Sequence, residues 1–481
     1  MIAAVDRDTV AALRAVLADA GYDSPGIKQA LGSDGPFERD DNLPVYLRAL
    51  PPEGRLPTLV RLFFLGVPVV AEAAESALAP LSLERLESLG LLTRTEDQVN
   101  ATVDLTPTDE FLLAYDHGEH GVEQREHVLG ISPGTKLLAY LTLRGPVETA
   151  LDLGSGSGVQ AILAAKHARK VVAVDINPRA LEFTAFNALL NGFENVECRL
   201  GNLFQPVEGE RFDLLVCNPP YVVSPEAALV YRDSGLPGDA FCEQLVRRVP
   251  GFLEDGGFAH LLVSWVHPRD EDWTARLRQW LEGSGCDALL FRFRTHEPLA
   301  YAAGSNARLR KRDPAAFAEV VDRWTSYYDE LGIEAISWGA IVLRRRSGPN
   351  WTWAHSPSAE RLGPASDHVT RLVAAQDRLQ ALADERSLLA EALEVVPTHR
   401  LDQTVVLRGD DEEVQGSLLR LLDGLRFAVQ VDGPTTRVLS LLDGERTLGD
   451  VLEEAAALEP GLSPETAVGG IRQLLELGFL V

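Results

Sequence analysis

The sequence is poor in cysteine and has no long uninterrupted apolar segment. Its four cysteines lie far apart and form no Cys-x-x-Cys pair, so neither a disulfide framework nor a cysteine-based zinc site is predicted. The most hydrophobic stretch, residues 56–71, contains Arg61 and is too short to span a bilayer. Residues 1–21 form a charged amphipathic run rather than a secretory signal. We therefore expect a cytoplasmic protein with no membrane partner and no bound metal.

Basic residues are also scarce, and their deficit is concentrated at the two ends of the chain. The 481 residues carry 71 acids and 45 bases, a formal charge of −26. Residues 1–125 hold 21 acids against 10 bases, and residues 351–481 hold 22 against 11. The middle, residues 126–350, has a net charge of only −4. Acidic flanks are repelled by a phosphate backbone, so they argue against nucleic acid as the partner of these regions.

Charge and apolar patterning together predict three domains, at residues 1–125, 126–350 and 351–481. In the first, a helix over 81–90 ends at a glycine and precedes an alternating stretch over 99–105, which is the order of a winged-helix module. The alternative is an ordinary glycine-capped helix. A winged-helix shape does not by itself imply DNA binding, because the same unit serves in dimerisation and substrate docking.

The C-terminal domain ends on a similar pattern. A helix that begins at Ser463 ends at Gly478 and is followed by Phe-Leu-Val, much as the earlier helix is followed by Leu-Leu. Before it, a polar turn precedes one long Ala- and Leu-rich helix over 368–395, which we interpret as a spacer. Both flanking domains are thus predicted to be helical and winged-helix-like.

The middle of the chain alternates strands and helices in the βαβ manner, which predicts an α/β domain with a doubly wound sheet. Predicted strands lie at 148–153, 170–175, 196–200, 212–217, 257–264, 288–294 and 335–345. Predicted helices lie at 159–167, 178–191, 240–252 and 273–282. The long interval 295–332 is predicted to be an insertion before the last strand.

A glycine-rich loop follows the first of these strands and leads into the first helix. It contains Gly154, Ser155, Gly156 and Gly158, and glycines there let the backbone turn sharply and approach a ligand closely. Asp152 lies just ahead of them, where a carboxylate can meet an ammonium group rather than a pyrophosphate. Dinucleotide-binding domains use nearly the same loop, and a turn with no ligand is the plainer alternative.

Two further strand ends carry polar residues that suit the same ligand. Asp175 ends the second strand, where its carboxylate can accept both hydroxyls of a ribose. Asn202 follows the third strand, where its amide oxygen can accept from an adenine amine. The sequence therefore predicts a nucleoside-binding site at the carboxyl edge of the sheet.

The tetrapeptide Asn218, Pro219, Pro220 and Tyr221 follows the fourth strand directly. The nitrogen of an amide or an aromatic amine is a poor nucleophile because its lone pair is delocalised. The Asn218 side-chain oxygen and the Pro219 carbonyl can each accept one N–H of such a nitrogen, and the Tyr221 ring can stack on the planar group, so catalysis needs positioning rather than a strong base. A Pro-Pro turn without a role is the alternative. Residues 221–239, rich in Pro, Gly and Asp, are predicted to form a lid over the substrate.

In this order and spacing, these motifs resemble the class I S-adenosylmethionine-dependent methyltransferases. Within them the chain is most similar to the Asn-Pro-Pro-Tyr group, which includes release-factor glutamine methyltransferases, small-domain methyltransferases and adenine or guanine amine methyltransferases. The resemblance covers residues 150–265 and departs upstream, where 127–135 lacks the arginine-containing segment typical of the glutamine branch. It implies a seven-stranded Rossmann-like sheet with a final antiparallel strand. It also implies S-adenosyl-L-methionine as the cofactor, bordered additionally by Ile176, Leu203 and Asn218.

Other polar or aromatic residues admit two interpretations. The segment Asp116-His117-Gly118-Glu119-His120, together with His127, either supplies metal ligands or is part of a mobile polar linker. We favour the linker because no further ligands cluster nearby. Trp265 and His267 either line the substrate pocket or belong to the core and its loops.

The leading functional hypothesis is N-methylation of a planar nitrogen in a protein or peptide, most simply a glutamine-like amide, with the acidic flanks docking that partner. The first alternative is methylation of an RNA or DNA base amine through two basic runs, Arg308-Leu-Arg310-Lys311-Arg312 and Arg344-Arg345-Arg346. The second alternative is a winged-helix scaffold with a vestigial methyltransferase domain. The intact tetrapeptide argues against that scaffold.

Overall fold

In a computed structural model, residues 6–32, 39–117, 126–226, 232–382, 385–408, 411–458 and 462–481 are described. Among these residues, no helix has both the length and the apolar character needed to cross a membrane. The chain forms an N-terminal helical region, a central mixed sheet covered by helices, and a C-terminal region that packs against one face of that sheet.

The N-terminal region consists of short helices and two small antiparallel sheets. Its helices are α1 Arg7–Asp19, α2 Ser24–Leu31, α3 Arg39–Ala49, α4 Arg55–Leu59, α5 Ala71–Leu78 and α6 Leu83–Ser88. Its strands are β1 Val69–Val70, β2 Leu92–Thr95, β3 Gln98–Ala101, β4 Val103–Pro107 and β5 Leu112–Asp116. α4 continues into one π-helical turn, Val60–Phe64. Along the chain, β1 is followed by α5, α6, β2 and β3, and β3 lies between β1 and β2 in a three-stranded sheet. The predicted sequence of helix, glycine and hairpin corresponds to α6 and the hairpin of β2 and β3.

Eight α-helices, two short 3-10 helices (Gln205–Val207 and Val249–Phe252) and eight strands make up the described central region. The helices are α7 Pro133–Leu141, α8 Val159–Ala165, α9 Pro178–Leu190, α10 Ala240–Arg248, α11 Ala275–Leu281, α12 Pro298–Ser305, α13 Ala307–Arg312 and α14 Pro314–Glu330. The strands are β6 Val147–Leu153, β7 Ala168–Asp175, β8 Val196–Leu200, β9 Phe212–Cys217, β10 Leu253–His267, β11 Cys286–His296, β12 Ala335–Arg345 and β13 Thr352–His355. α12 to α14 occupy the predicted insertion before the last long strand.

The central strands form one mixed sheet in the order β13-β11-β12-β10-β9-β6-β7-β8. β12 lies antiparallel between β10 and β11, as the final strand of the resemblance implies. The sheet has eight strands and not seven, because β13 pairs in parallel with the outer edge of β11. The α/β methyltransferase fold is therefore confirmed, and the strand count is corrected. β13 is too short and too irregular in its pattern to be recognised from the sequence.

The C-terminal region contains five helices and a three-stranded antiparallel sheet. They are α15 Ser366–Ala381, α16 Glu385–Leu388, β14 His399–Arg408, β15 Asp411–Leu421, β16 Ala428–Val431, α17 Gly433–Leu439, α18 Leu448–Leu458 and α19 Pro464–Glu476. The predicted spacer helix over 368–395 is wrong in length and in role. α15 ends at Ala381, and its apolar face is buried in the same core as the central sheet, with Leu372 wholly covered.

His368 shows how firmly α15 is held. Its Nε2 donates to the Leu477 carbonyl over 2.9 Å, and its Nδ1 accepts from the Leu425 N–H over 3.2 Å. Burial lowers the pKa of His368 to about 4, so the ring is neutral and one nitrogen is left to accept. The imidazole thereby joins α15 to the end of α19 and to the turn before β16.

The second basic run is used inside the protein. Arg344 donates to the buried Asp287 over 3.0 Å and to Asp377 of α15 over 2.7 Å. Arg346 also pairs with Asp287, over 3.0 Å. Arg345 donates to the carbonyls of residues 250 and 253. Arg344 and Arg346 therefore fasten α15 to the sheet, whereas Arg345 joins the end of β12 to the start of β10. The contacts of this run lie within the protein and give no support to its use as a nucleic-acid surface.

Asp377→Ala should destabilise the attachment of α15. The substitution removes hydrogen bonds from the Arg344 guanidinium and from the Trp351 indole, which donates over 3.0 Å. Because the carboxylate is partly exposed, we expect a loss of about 1–2 kcal/mol, visible as a lower midpoint in calorimetric melting. Asp377→Asn keeps an acceptor oxygen and should melt between the two. A midpoint equal to wild type for Asp377→Ala would show that the contact contributes nothing.

Candidate active site

A cleft of about 810 Å³ opens at the carboxyl ends of the parallel strands. Its walls include Asp152 at the end of β6, Asp175 at the end of β7 and Cys217 at the end of β9. Ligands of open α/β sheets bind at this edge, since loops from adjacent strands converge there. The cleft brings together the glycine loop, both predicted acids and the tetrapeptide.

The glycine loop faces the open part of the cleft at two positions. Gly154 has φ +77° and Gly156 has φ +54°, and a Cβ added at either would meet no atom within 4 Å. Gly158 differs: it does not line the cleft, and its Cβ would lie 2.9 Å from the Cα of Thr184. Its position therefore serves the close packing of α8 against α9. Ser155 accepts a hydrogen bond from the Thr184 hydroxyl over 3.0 Å, which holds the loop against α9.

The two acids differ in their surroundings. Asp152 is 2% exposed, and its Oδ2 accepts from the Ala161 N–H over 2.8 Å. Burial raises the pKa of Asp152 to about 7. Asp175 accepts from the N–H groups of Gly156 and Asn177, each over 2.9 Å, and burial raises its pKa too. One carboxylate oxygen of Asp175 thus sets the position of the glycine loop.

The remaining predicted cofactor residues also border the cleft. Ile176 is 54% exposed there, although it is large and apolar. Asn202 and Leu203 also line the cleft, and Leu203 has φ +48°, in the left-handed region. Two carboxylates, a close backbone approach and apolar side chains fit a ligand that has a cationic group, a diol and a flat ring. No group of described residues could hold a metal ion.

The tetrapeptide forms the wall beyond the cofactor residues. Asn218 Nδ2 is 3.4 Å from the Thr135 hydroxyl, and its Oδ1 accepts no hydrogen bond from the described residues. Thr135 is fixed by Ser132, whose hydroxyl lies 2.9 Å away, and by Gln160, which donates to its carbonyl over 2.9 Å. The sequence interpretation missed these three cleft residues. The Ser-Pro-Gly-Thr helix start at Ser132 was the available signal, since the Ser132 side chain caps α7.

Tyr221 lines the cleft together with Pro219 and Pro220. Burial raises the pKa of Tyr221 to about 12, so the hydroxyl stays protonated at neutral pH. A Cβ added at Gly134 would lie 2.9 Å from that hydroxyl. The ring therefore depends on a glycine in the first turn of α7.

Trp265 and His267 belong to the core and do not line the cleft. Trp265 is wholly buried, and its indole donates to the Trp273 carbonyl over 3.0 Å. His267 is buried, with Nε2 2.8 Å from the Ser337 hydroxyl. β10 extends to His267, so both residues still belong to the strand. Their interpretation as pocket residues is therefore excluded.

The segment around residue 116 is anchored rather than mobile where it is described. Asp116 is 2% exposed and accepts from the Arg179 Nε over 2.9 Å. His117 bonds to Asp104, and His127 lines the cleft. His120 lies outside the described residues. The mobile-linker interpretation fails for Asp116 because β5 continues to that residue and docks on α9.

Comparison with known proteins identifies two parts of the chain. Residues 129–233 match the methyltransferase small domain. Residues 19–102 match a domain of unknown function, DUF7059.

Two curated relatives are glutamine methyltransferases by name. Ribosomal protein uL3 glutamine methyltransferase of Bordetella pertussis is 33% identical over 217 residues, which is 40% of this chain and 72% of that protein. Release factor glutamine methyltransferase of Xylella fastidiosa is 36% identical over 129 residues, which is 24% of this chain and 46% of that protein. The chain thus spans most of the first relative and about half of the second.

Among solved structures, a methyltransferase from Pyrococcus furiosus is 17% identical, with a TM-score of 0.30 over 49% of this chain and 89% of that one. That similarity is too low to support an inference. The match of residues 129–233 to the methyltransferase small domain and the similarity to the Bordetella protein identify the family without that structure. Both accord with the glycine loop, the acids and the tetrapeptide gathered on one cleft. The chain belongs to the class I S-adenosylmethionine-dependent methyltransferases of the glutamine methyltransferase type.

Proposed function

We propose that this enzyme methylates the side-chain amide nitrogen of a glutamine in a protein, using S-adenosyl-L-methionine. The observation that carries the proposal is the free acceptor at Asn218: its Nδ2 is directed at Thr135, and its Oδ1 is left for an N–H in the cleft. The names of the two relatives support a protein glutamine as the acceptor.

The chain's own residues account for the reaction by positioning. Asn218 Oδ1 and the Pro219 carbonyl each accept one N–H of the amide, which directs the nitrogen lone pair into the cleft and favours a tetrahedral nitrogen. The Tyr221 ring covers the flat face of the amide, and Pro220 stiffens the loop that presents these groups. The bound cofactor supplies an electrophilic methyl group. No general base of high strength is required.

The cofactor-holding roles divide between the two acids and the loop. Asp175 is proposed to accept the ribose hydroxyls, and Asp152 to hold the ammonium group of the methionine part. Gly154 and Gly156 admit the ligand close to the backbone. Ile176, Leu203 and Asn202 are proposed to enclose the adenine ring.

Cofactor affinity should fall as the pH is lowered through 7. Because the Asp152 pKa is about 7 in the free protein, its carboxyl is largely neutral at pH 6 and loses its attraction for an ammonium group. We expect the cofactor affinity to drop roughly tenfold between pH 7.5 and pH 6. Titration calorimetry in buffers of different ionisation enthalpy would also detect proton release near neutral pH.

Two variants isolate the source of this pH dependence. Asp152→Asn should bind more weakly at pH 7.5 and show a flat profile. His127→Gln should keep the wild-type slope, although His127 also lines the cleft. A wild-type affinity that does not change with pH would contradict the assignment of Asp152.

The flanking domains, at 1–125 and 351–481, are proposed to be winged-helix-like and to dock the acceptor protein. Their acidic excess suits a basic protein surface. The alternative nucleic-acid acceptor loses one of its two basic runs, and the other, on α13, remains exposed. The catalytic domain is proposed to occupy 126–350, with β13 just beyond it adding to its sheet.

The decisive experiment labels a lysate with tritiated cofactor and characterises the product. We expect label in protein, lost on protease but not on nuclease treatment, and released as methylamine by acid hydrolysis, because a methylated glutamine amide hydrolyses to glutamate and methylamine. Recombinant uL3 and release factors serve as candidate acceptors. Label in RNA or DNA, or label that acid hydrolysis does not release as methylamine, would overturn the proposal.

A further inference from the structure

The helical insertion α12 to α14 contacts the segment that follows the tetrapeptide. The hydroxyl of Tyr301 accepts from the Val223 N–H over 3.2 Å, and the hydroxyl of Tyr328 donates to the Val223 carbonyl over 2.8 Å. Both main-chain polar groups of Val223 are thus satisfied by the insertion, two residues after Tyr221. Tyr327 holds the far end of the same segment by accepting from the Gly238 N–H over 2.8 Å.

Arg232 lies on this side of the cleft. Val222 pairs with Asp233 in a parallel bridge, which places Arg232 beside the residues that follow Tyr221. Among the described residues that line the cleft, Arg232 is the only arginine or lysine. The acids Asp152 and Asp175, proposed to hold the cofactor, belong to strands β6 and β7 instead.

Two contacts hold the guanidinium of Arg232 in a fixed plane. Its Nε donates to Asp233 over 2.8 Å, and its Cζ lies 5.5 Å from the ring centroid of Trp324 on α14. Asp233 is buried and also accepts from the Ser224 hydroxyl over 2.9 Å. Trp324 is wholly buried and donates to Glu226 over 3.2 Å. The guanidinium is therefore oriented before any acceptor arrives, which reduces the entropy that binding would cost.

The donors of Arg232 exceed what these contacts use. A guanidinium has five N–H groups, and Asp233 takes hydrogen bonds from Nε and Nη2. The side chain is 21% exposed, at the cleft. Because Asp233 already compensates the charge, the remaining N–H groups suit a neutral carbonyl oxygen better than a second carboxylate.

We propose that Arg232 is a further acceptor-binding residue, donating to a main-chain carbonyl of the acceptor protein next to the methylated amide. The insertion α12 to α14 holds Arg232 and Val223 in place for this contact. The proposal rests on a protein acceptor and adds a recognition contact whose support, the insertion α12 to α14, lies beyond the small-domain match of residues 129–233.

Initial rates with tritiated cofactor, measured against increasing lysate protein, test this contact. Arg232→Met keeps a long side chain but removes all donors, including the two to the buried Asp233, so Arg232→Lys is the variant that retains a cation beside that carboxylate. We expect the acceptor KM to rise about tenfold or more, with kcat changed less than threefold and cofactor affinity equal to wild type. Arg232→Lys should recover only part of the loss, because an ammonium group cannot reproduce the planar donor set.

Arg323→Met is the matched control. Arg323 is on the same helix as Trp324 and pairs with Glu226, but it is 54% exposed and does not line the cleft. Its acceptor KM should stay at the wild-type value. An unchanged KM in Arg232→Met, or equal losses in both variants, would overturn the proposal. Because the rates are measured with whichever lysate protein is labelled, and methylamine release is scored separately, failure of the glutamine assignment is distinguishable from failure of the Arg232 assignment.

Discussion

Asn218→Ala is expected to lower turnover about 100- to 1,000-fold while cofactor affinity stays nearly unchanged. The side chain follows β9 into the cleft, where its Oδ1 is the acceptor that we assign to the amide N–H. Without the Asn218 Oδ1 acceptor, the substrate amide nitrogen is neither polarised nor held in the orientation needed for methyl transfer. The fold should survive, because the side chain makes only one long contact, 3.4 Å to Thr135. Turnover is measured at saturating cofactor with the labelled acceptor.

Neighbouring variants separate the acceptor oxygen from its surroundings. Thr135→Val removes only the hydroxyl near Asn218 Nδ2 and should cost a few-fold. Tyr221→Ala should lower turnover less than Asn218→Ala if the ring only stacks, and Tyr221→Phe least of all. If the Asn218→Ala enzyme binds cofactor and its turnover is within a few-fold of wild type, the tetrapeptide is a structural turn without a catalytic role. The planar-nitrogen assignment would then fail as well.

Asp175→Ala should weaken cofactor binding by about 2–4 kcal/mol. The substitution removes the acceptor proposed for the ribose hydroxyls. It also leaves the Gly156 and Asn177 N–H groups without the carboxylate that now orders them. Two losses therefore combine at one residue, the direct contact and the preorganised loop. Calorimetry with S-adenosylhomocysteine measures the change without turnover.

The amide variant provides the control for Asp175. Asp175→Asn retains one acceptor oxygen and should bind more tightly than Asp175→Ala but more weakly than wild type. Circular dichroism should show the same fold in both. Affinity for S-adenosylhomocysteine equal to wild type in Asp175→Ala would contradict the ribose assignment.

Local patterns in the sequence sufficed for much of the catalytic domain. Strands β8, β9 and β12 have the predicted bounds, since β8 alternates apolar and charged residues and β9 and β12 are mainly apolar runs. The glycine loop and the tetrapeptide are each a run of adjacent residues that follows a predicted strand, so the sequence alone placed both of them at strand ends. Because parallel strands end at one edge, their meeting on one cleft followed from the βαβ order.

Contacts between distant segments required the tertiary structure. The apolar periodicity of α15 predicted a helix, but it does not indicate which surface the apolar face packs against. The structure shows that this face is buried in the same core as the central sheet, which contradicts the spacer interpretation. From the sequence alone, Arg344 was predicted to belong to a basic surface. The structure shows that its guanidinium group is bonded to Asp287 and Asp377.

The active site divides in the same way. Its motifs were readable from the sequence because each is a run of adjacent residues whose chemistry depends on local backbone geometry. Thr135 beside Asn218, and Trp324 beside Arg232, depend on side chains brought together across long stretches of chain. Such pairs are formed by packing of the whole domain, and no local period encodes them. The sequence by itself determined the reaction class and the edge of the sheet where it occurs, whereas the tertiary structure decided which side chains surround the acceptor.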